Sequence, residues 1–87
     1  MTKDESRRLY TKVFPESVND YDYDDWGYIH KEMQRVVRAP SDRDAVNVIF
    51  WWDCWEGDTE AKKLRDCLKT AHKFRREWAR MAKEVEV

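Results

Sequence analysis

The C-terminal third of the chain carries an apolar repeat that constrains the fold more than any other feature. Eight apolar residues recur there in steps of three or four, which is the period of one face of an α-helix. The repeat predicts a helix from Thr59 to about Glu86, roughly 40 Å long at ~1.5 Å per residue. A compact domain of this size has a radius of gyration of about 12 Å, so we expect part of the helix to project. The repeat consists of Ala61, Leu64, Leu68, Ala71, Phe74, Trp78, Ala82 and Val85.

Capping and stop residues predict two helices in the first half of the chain. Thr2 and Glu5 have the spacing of a capping box, and Pro15 would end the helix that they begin. A second helix begins within an acidic stretch at residues 19–26 and ends at Pro40. Its apolar residues recur at helical spacing, and they are Trp26, Ile29, Met33, Val36 and Val37.

The third segment, which Ser41 caps and Gly57 ends, is ambiguous. As a helix it would be apolar nearly all round and therefore central; as a strand over residues 45–52 it would be rich in β-branched and aromatic residues. A strand needs partners, and a two-stranded sheet is marginal without further cover. We therefore predict one all-α domain of three or four helices over residues 1–87, with α+β as the alternative.

Composition bears on the core and on the location of the protein. Leu, Ile, Val and Phe make up 16 of 87 residues, below the roughly 20% that warns of disorder. A net charge of −1 and five Trp favour a folded chain with an aromatic core. No apolar run approaches the ~20 residues that cross a bilayer, and the N-terminus lacks the apolar centre of a signal peptide. We expect a cytoplasmic protein without membrane attachment, with Cys54 and Cys67 as free thiols unless an oxidising compartment pairs them.

The acidic stretch, N-D-Y-D-Y-D-D-W, is the first candidate site, and three interpretations of it are open. A calcium loop would need a glutamate at its twelfth position, where the two registers place Lys31 or Met33. A helix N-terminus with Asp22 as N-cap explains two or three of the aspartates. Tyrosines between the acids either cover the core or form, with the acids, a partner-binding surface. That surface would comprise Asp20, Tyr21, Asp22, Tyr23, Asp24 and Asp25.

Seven basic residues of the C-terminal helix form the second candidate site, which we call the basic stripe. At ~100° per residue they fall within a sector of about 80°, opposite the apolar face. A solvated helix face normally mixes charge signs, and this one does not, so the stripe is either a plain solvated face or a surface for an anionic partner. That partner could be nucleic-acid phosphates or an acidic protein, including a second copy of the chain in a homodimer. The stripe consists of Lys62, Arg65, Lys69, Lys73, Arg76, Arg80 and Lys83.

Three tryptophans, Trp51, Trp52 and Trp55, lie within five residues. They cannot all point inward on one helix, because Trp51 and Trp52 are separated by about 100°. Core packing explains two of them. Trp51 is therefore a candidate anchor for a partner.

Patterns for catalysis or metal binding are weak. Two cysteines and two histidines, Cys54, Cys67, His30 and His72, lack the spacing of a zinc site. The two glycines are thirty residues apart, which excludes a Gly-rich phosphate loop. We expect neither an enzyme nor a bound cofactor.

Charge is segregated along the chain, and this leads to the functional hypotheses. Residues 1–60 carry 8 basic and 14 acidic side chains, and residues 61–87 carry 9 and 4. Small size, two-sign polarity and surplus aromatics predict a non-enzymatic interaction protein that binds and modulates or inhibits a larger macromolecule. Inhibitors encoded by phages and mobile elements often have this composition. The alternative is a nucleic-acid-binding module that uses the basic stripe.

Overall fold

The computed structural model describes residues 1–16, 23–52, 55 and 59–85, and in this part of the chain the regular structure is helical. Four α-helices occur there in the order α1 (Lys3–Val13), α2 (Tyr23–Arg38), α3 (Asp42–Ile49) and α4 (Glu60–Val85). The side chains of Tyr23, Asp24 and Val85 are outside the description. The all-α prediction with a long C-terminal helix is confirmed. The alternative strand over residues 45–52 is wrong, because its first five residues are the last five residues of α3.

Side-chain caps begin α1 and α3 as the sequence predicts. The Thr2 hydroxyl accepts from the Glu5 amide at 3.1 Å, and the Thr2 amide donates to Glu5 Oε1 at 2.7 Å, which completes the capping box. The Ser41 hydroxyl accepts from the Asp44 amide at 3.2 Å. Each cap satisfies an amide that has no partner within its own helix.

The end of α3 differs from the prediction, since the helix stops at Ile49 rather than near Gly57. The Ile49 carbonyl accepts the Trp52 amide at 3.1 Å and the Trp55 indole Nε1–H at 2.8 Å. Further α-helix would need that carbonyl for the amide four residues on. A tightened turn and an indole therefore occupy the acceptor and end the helix.

Aromatic rings form the centre of the core, as composition predicted. Phe74 of α4 is fully buried, and its ring centroid lies 6.1 Å from Tyr10, 5.9 Å from Phe14 and 6.0 Å from Trp52. Trp26 of α2 meets Tyr10 edge-on at 6.0 Å. Around these rings lie fully buried aliphatic side chains from the other helices, namely Leu9, Met33, Val36 and Ile49.

The buried face of α4 is rotated from the predicted one. Leu64 and Leu68 are 44% and 46% exposed, whereas Cys67 and Met81 are buried. Ala61 and Ala82 are exposed as well. Cys67 lies within the apolar sector of α4 and Met81 widens it to about 160°. The buried residues lie on the Met81 side of this sector, and the exposed ones lie on the other side. The repeat thus marks one apolar face of α4, but four of its members are exposed, namely Ala61, Leu64, Leu68 and Ala82.

The long helix α4 runs along the full length of the molecule, and little of it projects beyond the core. The radius of gyration is 12.9 Å and the longest extent is 42 Å, close to the ~39 Å expected for the 26 residues of α4. Buried residues occur along it from Cys67 to Met81, so only the end turns extend past the core. None of the helices in the described ranges combines the length and apolar character needed to cross a membrane.

Candidate functional site

The basic stripe lies on the outer face of α4 because the opposite face is held in the core. Phe74 and Ala71 are fully buried there. Arg75 and Glu77 add polar links on the flanks. Arg75 contacts Asp42 of α3, and Glu77 Oε2 lies 3.9 Å from the Lys12 ammonium of α1. These contacts fix the rotation of α4 and direct the stripe toward solvent.

All seven side chains of the stripe are exposed. One of them, Arg80, has a partner, since its Nη1 lies 3.3 Å from Glu77 Oε1. The other six form no ion pair with any residue in the described ranges. Apart from Arg80, the stripe is thus an extended row of cations without an ion-pair partner in the described ranges.

A groove of about 250 Å³ opens at the C-terminal end of the stripe, and it is lined by Arg76, Ala79, Arg80 and Lys83. Three of these side chains are cationic, and the small side chain of Ala79 leaves space between them. Guanidinium groups bind planar oxyanions through two parallel hydrogen bonds, and ammonium groups act as point charges. The groove is chemically suited to a phosphate or a carboxylate group.

Acidic side chains near the stripe do not interrupt it. Asp66, Glu77 and Glu84 lie along one edge of the sector. Glu77 is shared between Lys12 and Arg80, so its charge is already engaged. The positive surface therefore remains continuous along α4.

Most of the acidic and aromatic candidate surface lies outside the description. The predictions for Asp20, Tyr21 and Asp22 fall on residues that the structure does not describe, and Tyr23 and Asp24 are described only by their backbone. Because α2 begins at Tyr23, its start lies within the acidic stretch. Asp25 is exposed in the first turn of α2.

Trp51 is the exposed tryptophan of the cluster, at 78%. Trp52 and Trp55 are half-buried and pack against the core. The ring of Phe50 meets Trp51 edge-on at 5.3 Å, and Lys63 Nζ lies 4.1 Å from the Phe50 centroid. Lys63 projects from the buried side of α4, so Phe50, the ring that Trp51 contacts, lies against that side of the helix.

A polar link between α1 and α2 was missed in the sequence, which offers no periodic signal for it. Ser6 Oγ donates to the Thr2 carbonyl at 3.1 Å and lies 2.7 Å from His30 Nδ1. Gln34 Nε2 lies 2.8 Å from His30 Nε2. Because Ser6 Oγ gives its single proton to Thr2, it accepts a hydrogen bond from His30 Nδ1, and the Gln34 amide nitrogen donates to His30 Nε2. This arrangement fits an imidazole with its proton on Nδ1. Ser6 is 1% exposed, so this Ser–His pair joins two helices and presents no accessible nucleophile.

The two histidines belong to separate networks. His72 Nδ1 lies 2.8 Å from Asp42 Oδ2, beside the Arg75 contact. The hydrogen bond from His72 is the main cause that lowers the pKa of Asp42. Cys67 is buried, and Cys54 falls outside the description. No three His, Cys, Asp or Glu side chains in the described ranges are grouped to hold a metal ion.

No protein-family model matches this chain, and no curated protein or solved structure matches it either. Among the described candidate sites, the basic stripe has the most complete geometry, because all of its members are exposed on one rigid helix. Its exposed Lys and Arg side chains are chemically suited to negatively charged groups.

Proposed function

We propose that this chain is a small non-enzymatic interaction protein that binds an anionic surface of a larger macromolecule and thereby modulates or inhibits it. The supporting observation is the basic stripe, in which seven exposed cations share one helix face and six have no ion-pair partner in the described ranges. Such a surface attracts anionic partners and accelerates their association at low salt.

The stripe also disfavours its own helix in the absence of a partner. Successive members are three or four residues apart, so each cation has a like charge as its neighbour. Like-charge pairs at this spacing destabilise a helix by about 0.2–0.5 kcal/mol per pair. A plain solvated face avoids this cost by alternating signs, whereas a bound anion relieves it. Asp66, Glu77 and Glu84 at the edge of the sector offset part of this repulsion. The part that remains favours a binding role over simple solvation.

A pair of charge-reversal variants tests this proposal. Arg76→Glu with Lys83→Glu removes two groove cations, neither of which has an ion pair in the described ranges. The control is Lys31→Glu with Arg38→Glu on α2, where both residues are exposed. The two double variants change the net charge by the same amount. In both, the two positions are seven residues apart and one of them lies in the last turn of a helix.

The measurement is retention on immobilised heparin, a sulfated polyanion, with helical content followed by circular dichroism. We expect the wild type and the α2 control to elute at similar salt and the stripe variant to elute far earlier, since exposed pairs weaken with screening. Equal losses in both variants would show that net charge alone acts. Failure of the wild type to bind at low salt would also overturn the proposal.

A further inference from the structure

We propose that the surface recognised by the basic stripe is the phosphate backbone of double-stranded nucleic acid, bound without selection of base sequence. This inference rests on the proposed function and names its partner class. It is carried by what the sector of the stripe contains, by where the aromatic side chains of the described helices lie, and by the length of the charged row.

The content of the sector favours nucleic acid over an acidic protein. Between Lys62 and Lys83, every residue whose direction falls within the sector of about 80° is Lys or Arg. Protein–protein interfaces have a core depleted of charge, are poor in Lys, and rely on Trp, Tyr and Arg as anchors. The stripe has Arg but no aromatic residue, and four of its seven members are Lys. A row of cations without an apolar anchor instead matches a partner whose whole surface is charged, which is the case for a phosphate backbone.

The positions of the aromatic residues favour a duplex over a single strand. Proteins that bind single strands add aromatic side chains on which unpaired bases stack. The aromatic residues of α4 are Phe74, which is buried, and Trp78, which is half-buried on the core side. Trp51 is exposed and contacts Phe50, whose ring lies against Lys63 on the buried side of α4. The stripe itself thus contains no aromatic side chain on which unpaired bases could stack.

The length and chemistry of the stripe fit contacts to the backbone rather than to bases. From Lys62 to Lys83 the row extends about 32 Å along the helix axis, close to the ~34–36 Å of one turn of B-form DNA. Readout of adenine commonly uses Asn or Gln, and the sector contains neither. Arg and Lys can also contact guanine, but a row of seven cations along one helix offers far more charges than a short recognition segment needs, which favours contacts to phosphates. Contacts from this row would position the duplex without distinguishing its sequence.

The test is fluorescence anisotropy with labelled probes at several salt concentrations between about 50 and 200 mM. The probes are two duplexes of unrelated sequence, each about two helical turns long, the corresponding single strands, and poly-L-glutamate of similar charge. We expect both duplexes to bind within about threefold of each other and at least tenfold tighter than either other probe. Four to six phosphate contacts would give a log–log salt slope of about −4 to −5.

The variants connect this binding to the stripe. Arg76→Glu with Lys83→Glu should reduce the magnitude of the slope by about two, or roughly one per lost phosphate contact, and the Lys31→Glu with Arg38→Glu control should leave it unchanged.

Each contrary result identifies what fails. Binding to poly-L-glutamate alone would overturn the inference but preserve the proposed function. Tighter binding to single strands would overturn the duplex assignment, and a strong preference for one duplex would overturn sequence independence. Binding to none of the probes, together with no retention on heparin, would overturn both the inference and the proposed function.

Discussion

Arg75 and Asp42 join the middle of α4 to the first residue of α3, with Arg75 Nε 2.7 Å from Asp42 Oδ1. The same guanidinium donates through Nη1 to the carbonyl oxygen of Val36 at 3.3 Å and to that of Ala39. One side chain therefore links the end of α2, the start of α3 and the helix that carries the basic stripe.

Arg75→Ala should destabilise the protein. The change leaves two carbonyl acceptors and a carboxylate without this donor, and loss of such partners costs about 1–3 kcal/mol. Urea denaturation followed by circular dichroism would measure it. Arg65→Ala, at an exposed position of the same helix, should change the free energy of unfolding by no more than about 0.5 kcal/mol. Equal effects of the two changes would contradict a linking role for Arg75.

Asp42 should make stability depend on pH in the acid range. A hydrogen bond from His72, followed by the charges of His72 and Arg75, holds its pKa below the ordinary value of 3.8 despite opposing desolvation. A carboxyl with a lowered folded-state pKa stabilises the fold above its unfolded pKa, and this contribution is lost as the pH falls through the folded value. The stability difference between wild type and Asp42→Asn should thus shrink as the pH falls below 3.8.

Denaturation of both proteins across this pH range provides the measurement. Glu5 is a useful comparison, because its hydrogen bonds to Thr2 lower its pKa from 4.5. Glu5→Gln should therefore show the same sign in a window that begins at slightly higher pH. A difference between wild type and Asp42→Asn that grows toward low pH would refute the assignment.

Replacing Phe74 and Leu68 by alanine should separate the buried face of α4 from its exposed flank. Phe74 is fully buried among aromatic rings, and Phe→Ala in a core costs about 3–5 kcal/mol. Leu68 is 46% exposed, so Leu68→Ala should cost about 1 kcal/mol or less. Thermal denaturation would rank them. If Phe74→Ala does not fold, Phe74→Leu should still lower the melting temperature more than Leu68→Ala does. A larger loss of stability for Leu68→Ala would contradict the burial of Phe74 and the exposure of Leu68.

Gly27→Ala should stabilise the protein. Gly27 lies inside α2, and a Cβ at this position would meet no atom within 4 Å. Alanine in a helix interior is favoured over glycine by about 0.5–1 kcal/mol. The midpoint of urea denaturation should rise, whereas the reverse change Ala79→Gly at an exposed position of α4 should lower it by a similar amount. A lower midpoint for Gly27→Ala would show that α2 needs glycine there.

Local patterns predicted the helices because their causes are local. The caps of Thr2 and Ser41 act over three residues, and the repeat in α4 reflects one periodic backbone. The direction of the stripe follows from the same periodicity, so its seven members could be named from sequence. Whether they bind a partner stays a prediction.

Features that depend on contacts between distant segments could not be predicted. The end of α3 is set by the Trp55 indole on the Ile49 carbonyl, which no capping pattern announces. The apolar sector of α4 is wider than the surface that the neighbouring helices can cover. Which part of it is buried therefore depends on where those helices pack, and this cannot be read from the sequence of α4. The Ser6–His30 link joins side chains 24 residues apart, and nothing in either local sequence indicates the other.

The outer and inner faces of α4 share a backbone but no side chain, and this has an evolutionary consequence. Substitutions at separated sites without common partners have nearly additive effects. Substitution of any stripe residue that has no ion pair in the described ranges should therefore have little effect on the packing of the buried rings. Selection could tune the affinity of this surface one charge at a time while the same fold is inherited unchanged.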